Sequence, residues 1–168
     1  MKGRLQVILR SRFEKKELLA SLQGAPSLVE ELVHYACADE QPISWRAAWV
    51  LEHHAKKYPE DLESHASRLI EVLKEKEDGH QRCLIKLLME LDLDDEQQSK
   101  LFNSCFNIYE NLAAIPSLRI TALQYIISVV KEYPELRAEV LHLFDERYSL
   151  GLSPGIKNSW MKLKSTLS

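Results

Sequence analysis

Glu52-His53-His54 places a carboxylate and two imidazoles in one stretch, the side chains on which a metal site or a general base draws. Neighbours on a helix point about 100° apart, so His53 and His54 do not readily share one ion. His65 opens the following helix and is the candidate partner for His54, whereas His34, His80 and His142 stand alone. Solvated or packed histidines are the simpler reading. The densest acid cluster is Asp92, Asp94, Asp95 and Glu96. A calcium loop counted from Asp92 needs Gly at its sixth position and Glu at its twelfth, where this chain has Gln97 and Asn103. Asp94 is expected instead to be a helix N-cap, with Asp95 and Glu96 beside the positive end of the helix dipole.

Cys37, Cys83 and Cys105 are an odd set without Cys-x-x-Cys spacing, so reduced thiols serving as small core residues are expected. No phosphate-binding GxxxxGK loop, dinucleotide GxGxxG or zinc-binding HExxH occurs. No catalytic residue, metal or cofactor is assigned.

Aromatic and basic residues remain. Trp45 and Trp49 are one helical turn apart, on a stripe rotated away from the apolar face of Ala47, Leu51, Ala55 and Tyr58. Two readings are open: packing against a neighbouring helix, or an exposed pair beside Arg46 acting as a binding anchor. Arg46, Arg82, Arg119 and Lys157 each fall in the first turn of an expected helix, at separations of 36, 37 and 38 residues.

The elements that carry these residues are helical. Leu62, Ala66, Leu69, Ile70 and Leu73 repeat with the period of one helix face, as do Leu84, Leu87, Leu88 and Leu91. Leu118, Ala122, Tyr125, Ile126, Val129 and Tyr133 do the same, and no segment alternates with period two. Prolines 26, 42, 59, 116, 134 and 154 fall between the periodic segments. The expected helices are 13–22, 27–38, 43–57, 61–75, 80–91, 94–110, 117–132, 135–147 and 155–165, with 2–11 undecided between a short helix and a tail. Tyr58-Pro59-Glu60 recurs as Tyr133-Pro134-Glu135, 75 residues on, or two units of the basic-residue spacing. Four helix pairs of about 37 residues read as an all-α superhelix, a HEAT/armadillo-like solenoid. A single domain over 1–168 is expected, with an N-terminal cap (1–26) and repeats near 27–60, 61–93, 94–133 and 134–168.

Charge is distributed unevenly along the 168 residues. The chain carries a net charge of −3, yet residues 1–16 are +5, residues 149–168 are +3 and the intervening body is −11. That balance is not the footprint of sequence-independent nucleic-acid binding. The apolar run from Leu5 to Leu9 is too short for a signal peptide, and no stretch reaches the roughly 18–20 apolar residues of a membrane span. A cytoplasmic protein with no membrane contact is expected.

Ser44-Trp45-Arg46-Ala47-Ala48-Trp49-Val50-Leu51 resembles the start of the second helix of a HEAT repeat, where a basic residue precedes small residues and a Leu. Through Arg46–Glu60, Asp78–Arg82 and Tyr133–Leu136 the chain more narrowly resembles a family of short bacterial HEAT-like proteins, over most of residues 13–167. Members often carry the label adenylosuccinate lyase, but no segment is similar to the Ser-containing, Gly-rich flexible loop of such lyases. Typical HEAT repeats place an Asp six residues before the Arg. Here those positions hold Glu40, Lys76, Ala113 and Gly151, so a continuous Asp–Arg ladder is not expected.

The resemblance implies a non-enzymatic protein–protein interaction module whose second helices line a concave face, with an unidentified protein or peptide as partner. The expected face comprises Trp45, Arg46, Trp49, His53, Arg82, Lys86 and Arg119. The alternative is nucleic-acid binding of the kind seen in HEAT-like DNA glycosylases, with Arg46, Arg82 and Arg119 as a phosphate-facing row. Self-association through an uncapped solenoid end is a further expectation.

Overall fold

The computed structural model describes residues 3–168. The undecided segment 2–11 becomes helix α1 (Arg4–Arg10), anchored by buried Leu5 and Leu9, while Lys2 lies outside the described residues. It is followed by α2 (Lys15–Leu22), α3 (Pro26–Cys37), α4 (Ile43–Ala55), α5 (Ala66–Val72), α6 (Asp78–Leu88), α7 (Asp95–Glu110), α8 (Pro116–Glu132), α9 (Arg137–Val140) and α10 (Pro154–Ser165). Among the described residues there is no strand, and the all-α reading stands.

Two expected helices are not continuous. The segment 61–75 is α5 flanked by 3-10 turns at Glu63–His65 and Leu73–Glu75, and 135–147 is α9 between 3-10 turns at Pro134–Leu136 and Leu141–Phe144. Both follow the repeated Tyr-Pro-Glu phrase. Tyr58 (φ −135°, ψ 62°) and Tyr133 (φ −122°, ψ 81°) share one backbone conformation, as a residue before proline is driven out of the helical region. Pro59 and Pro134 then start 3-10 turns, where the missing N–H costs nothing. The tighter turns still bring Leu62, Ala66, Leu69 and Leu73 fully into the core, so the periodic face survives the break. The repetition in the sequence is therefore a repetition of structure.

Other boundaries follow local chemistry. Asp94 Oδ1 accepts from the Gln97 amide N–H at 2.8 Å while the Asp94 N–H donates to Gln97 Oε1 at 3.1 Å, a reciprocal capping box at the start of α7. Gly24 (φ 68°) turns the chain between α2 and α3 in the left-handed region.

The chain divides into two compact units, one ending at Gln98 and the other spanning Ser99–Ser168, with the division inside α7. In the first unit α4 is central. It packs on α3 and α6, as well as on α1 and α2. Ala47, Ala48, Val50, Leu51 and Ala55 are fully buried, and the small residues permit close approach on more than one side. In the second unit α8 is the element buried on several faces, from Leu118 through Val130, and packs on α10. Tyr109 is at the centre of that core. Its hydroxyl donates to the Leu143 carbonyl (2.7 Å) and accepts from Trp160 Nε1 (2.8 Å). Burial pushes its phenol up to about 12, so it remains a neutral donor.

Candidate functional site

Helix α4 presents Trp45, Trp49 and His53 at successive turns along one stripe. Trp45 is exposed, with 40% of its surface accessible. Trp49 is half-buried: Phe13 meets it edge to face at 6.4 Å, and the Lys15 ammonium is 5.3 Å from the indole centroid. His53 meets Trp49 in a tilted ring contact at 4.7 Å and is held by a 2.8 Å hydrogen bond between Nδ1 and the Trp49 carbonyl. A carbonyl only accepts, so Nδ1 carries the proton. A groove of about 400 Å³ lies along this stripe, lined by Ser11, Arg12, Phe13, Trp45, Arg46 and Trp49. A second concavity of about 300 Å³ is lined by Lys16, Leu19, Ala20, Gln23, His53, His54, Lys57 and Tyr58.

Arg46 lies in the groove wall but is held from behind. Its Nη1 is within 2.8–3.1 Å of the carbonyl oxygens of Leu9, Arg10 and Ser11, the unsatisfied acceptors at the end of α1. Glu40, which stands at the ladder position before Arg46, pairs instead with Arg10 and accepts from Gln6. Lys76, at the corresponding position before Arg82, donates to the Cys37 and Ala38 carbonyls (3.0 and 2.6 Å) and closes the end of α3. Where a HEAT ladder would run, cations cap helix C-termini.

Arg82 is half-buried, with its Nε shielded from water and without a hydrogen-bond partner among the described residues. Lys86 reaches Glu52, its ammonium 3.7 Å from Oε1, and Lys56 approaches the same oxygen at 3.8 Å. Glu52, the carboxylate of the Glu-His-His stretch, shares a helix face with Ala48 and Ala55 and meets cations rather than its neighbouring histidines. It is only 4% exposed and neighbours Cys83, whose thiol is pushed up to about 12 by burial and by that carboxylate.

Arg119 requires a correction. Expected on the interaction face, it is 4% exposed: Nε donates to the Tyr109 carbonyl at 2.9 Å, and the guanidinium lies over the rings of Tyr109 (5.1 Å) and Tyr148 (5.9 Å). It caps the end of α7 from inside the second unit. Its companion cations earlier in the chain are more accessible.

The remaining chemistry is structural. His54 is buried and bonded through Nε2 to Asp61 (2.7 Å), so the partner foreseen in His65 is supplied by the 3-10 turn Pro59–Asp61. His80 is buried beside Gln41, whose amide lies 3.3 Å from Nδ1, and burial lowers its pKa to about 4. Gly151-Leu152-Ser153-Pro154-Gly155 has the lettering of the Gly-x-Ser-x-Gly elbow of hydrolases. An elbow needs a strand leading into the serine. Here Ser153 follows a 3-10 turn and a left-handed Gly151, and serves as N-cap of α10. Among the described residues no three His, Cys, Asp or Glu side chains gather in a metal-ligating cluster, and no helix is long and apolar enough to cross a membrane.

No curated protein and no solved structure matches the chain significantly. A family model does: the HEAT repeat domain model matches residues 1–166, and on that match, over nearly all of its length, the chain belongs to the HEAT repeat family.

Proposed function

We propose that this chain is a non-enzymatic protein–protein interaction module that takes a protein or peptide partner along α4, through Trp45, Arg46, Trp49 and His53, with Arg82 and Lys86 as flanking cations. HEAT repeats commonly mediate protein–protein interaction. One observation carries the assignment to this face. Trp45 is an exposed indole on a rigid, fully packed helix, beside a groove whose floor is the half-buried Trp49. A large aromatic that keeps 40% of its surface open on a packed helix is the usual form of a binding anchor. Arg119 has no part in this surface, because it is buried in the second unit.

Affinity capture from lysate of the source organism, with and without nuclease, tests the reading. A protein partner that survives nuclease and is lost with a folded Trp45→Ala variant is the expected result. Capture that nuclease abolishes would instead support nucleic-acid binding. Capture that is indifferent to Trp45→Ala would remove α4 from the interaction surface.

A further inference from the structure

The two concavities beside α4 share a chemical character that specifies more than a surface. We propose that together they bind an acidic peptide segment carrying one large apolar side chain. This inference rests on the α4 face being the interaction surface, and adds the partner's chemistry to it.

Cations surround an apolar floor in both spaces. Arg12 and Arg46 line the first concavity, Lys16 and Lys57 the second, and no carboxylate lines either. Lys15 adds a fifth cation, over the face of Trp49. Glu14 and Glu17, the acids of the same stretch, line neither space, and Arg10 is neutralised by Glu40. Both spaces are therefore basic on a chain whose net charge is −3, and the carboxylate beside Trp45, Glu77, lines a separate concavity of about 310 Å³. Between the cations the floor is Phe13, Trp45 and Trp49, which suits one aromatic or branched aliphatic side chain rather than a phosphate. The two spaces adjoin along α4: Trp49 lines one, His53 the other, and their ring centroids are 4.7 Å apart. An occupant therefore extends along α4 for several residues, and carboxylates spaced along it meet Arg12 at one end and Lys57 at the other.

A nucleic acid fits less well. Of the expected phosphate row, Arg82 is half-buried and Arg119 is inside the core, which leaves Arg46 alone of the three on this groove. Acidic segments with scattered hydrophobic residues remain disordered when free, so their carboxylates and anchor are available to bind.

The test is fluorescence anisotropy with a labelled Glu/Asp-rich peptide of about twelve residues bearing one central Phe. It is compared with the same peptide with Ser for Phe, with Lys for every acid, and with a single-stranded oligonucleotide of equal charge. The acidic Phe peptide is expected to bind, and to weaken about tenfold or more with Ser for Phe and with Trp45→Ala. The double variant Arg12→Glu, Lys16→Glu is expected to weaken it about as much, while Lys131→Glu in the second unit has no effect. Absence of binding, equal binding of the Lys peptide, tighter binding of the oligonucleotide, or indifference to Trp45→Ala would overturn the proposal. Circular dichroism of each variant separates loss of binding from loss of fold. Lysate capture that depends on Trp45 while the acidic peptide fails to bind would leave the interaction module standing and remove only the acidic occupant. Failure of both would remove the module as well.

Discussion

Two tryptophans on this chain have opposite roles. Trp45 is exposed, whereas Trp160 is 6% exposed, donates to the Tyr109 hydroxyl at 2.8 Å and packs on Phe144 at 5.4 Å. Trp160→Ala therefore leaves a cavity and removes the hydrogen bond that the Tyr109 hydroxyl accepts, and is expected to cost about 3–5 kcal/mol in denaturant unfolding. Trp45→Ala, at a side chain 40% exposed, is expected to cost clearly less than Trp160→Ala while removing binding. If Trp45→Ala costs as much as Trp160→Ala, the exposed-anchor reading fails. His80 gives a second test at this scale. Its folded pKa, about 4, is below the ordinary histidine value because burial disfavours the cation, with Lys76 adding repulsion. Between the ordinary value and about 4 the unfolded chain takes up a proton that the folded chain refuses. Stability is thus complete above the ordinary histidine value and declines as pH falls toward about 4. Urea midpoints measured across that window should fall more steeply for the parent than for His80→Gln, and equal slopes would contradict this account.

At the scale of elements, the recurring device is a cation that closes the C-terminus of an earlier helix. Arg46 does so for α1, Lys76 for α3 and Arg119 for α7. Each brings positive charge to the negative end of a helix dipole and satisfies carbonyls that have no intrahelical partner. For α1 the effect should be large, since a helix of seven residues is too short to persist alone. Arg46→Ala is expected to cost about 1.5–3 kcal/mol and to raise hydrogen exchange in Arg4–Arg10 before any other helix. Unchanged protection of α1 would show that buried Leu5 and Leu9 are sufficient. The same helix, with the turn that follows it, carries the groove wall at Ser11–Phe13, so loosening it should also weaken whatever α4 binds.

For the molecule as a whole, the thiols report on cooperative unfolding. Cys105 is fully buried with its pKa raised by desolvation, and Cys83 is raised to about 12, whereas Cys37 is only partly covered. Thiolate is the reactive form, so native-state alkylation should reach Cys37 first and slowly. Cys83, in the first unit, and Cys105, in the second, should be modified only on unfolding, each reporting its own unit. Mass spectrometry of alkylated peptides along a urea series reads both, and fast native labelling of Cys105 would contradict the packing described.

What the amino-acid order determined by itself is local and periodic. The apolar spacing of Leu62–Leu73 and Leu118–Val129, the six prolines, the Asp94 cap and the repeated Tyr-Pro-Glu phrase made an all-α repeat legible, because burial of a helix face and capping depend on residues a few positions apart. The HEAT-like octet around Arg46 likewise indicated the family that the chain belongs to. The breaks at 59–65 and 134–144 were less legible. They depend on how a tight turn and a core compete for the same residues. Arg46 and Arg119 look equivalent in sequence, yet one lines an open groove and the other is enclosed by Tyr109 and Tyr148. The fate of Trp45, Trp49 and Glu52 was equally hidden. Only the tertiary structure decided these, because the exposure and partners of a charge or an indole are set by segments distant in the chain: Ser11–Phe13 covering Trp49, and Lys86 meeting Glu52.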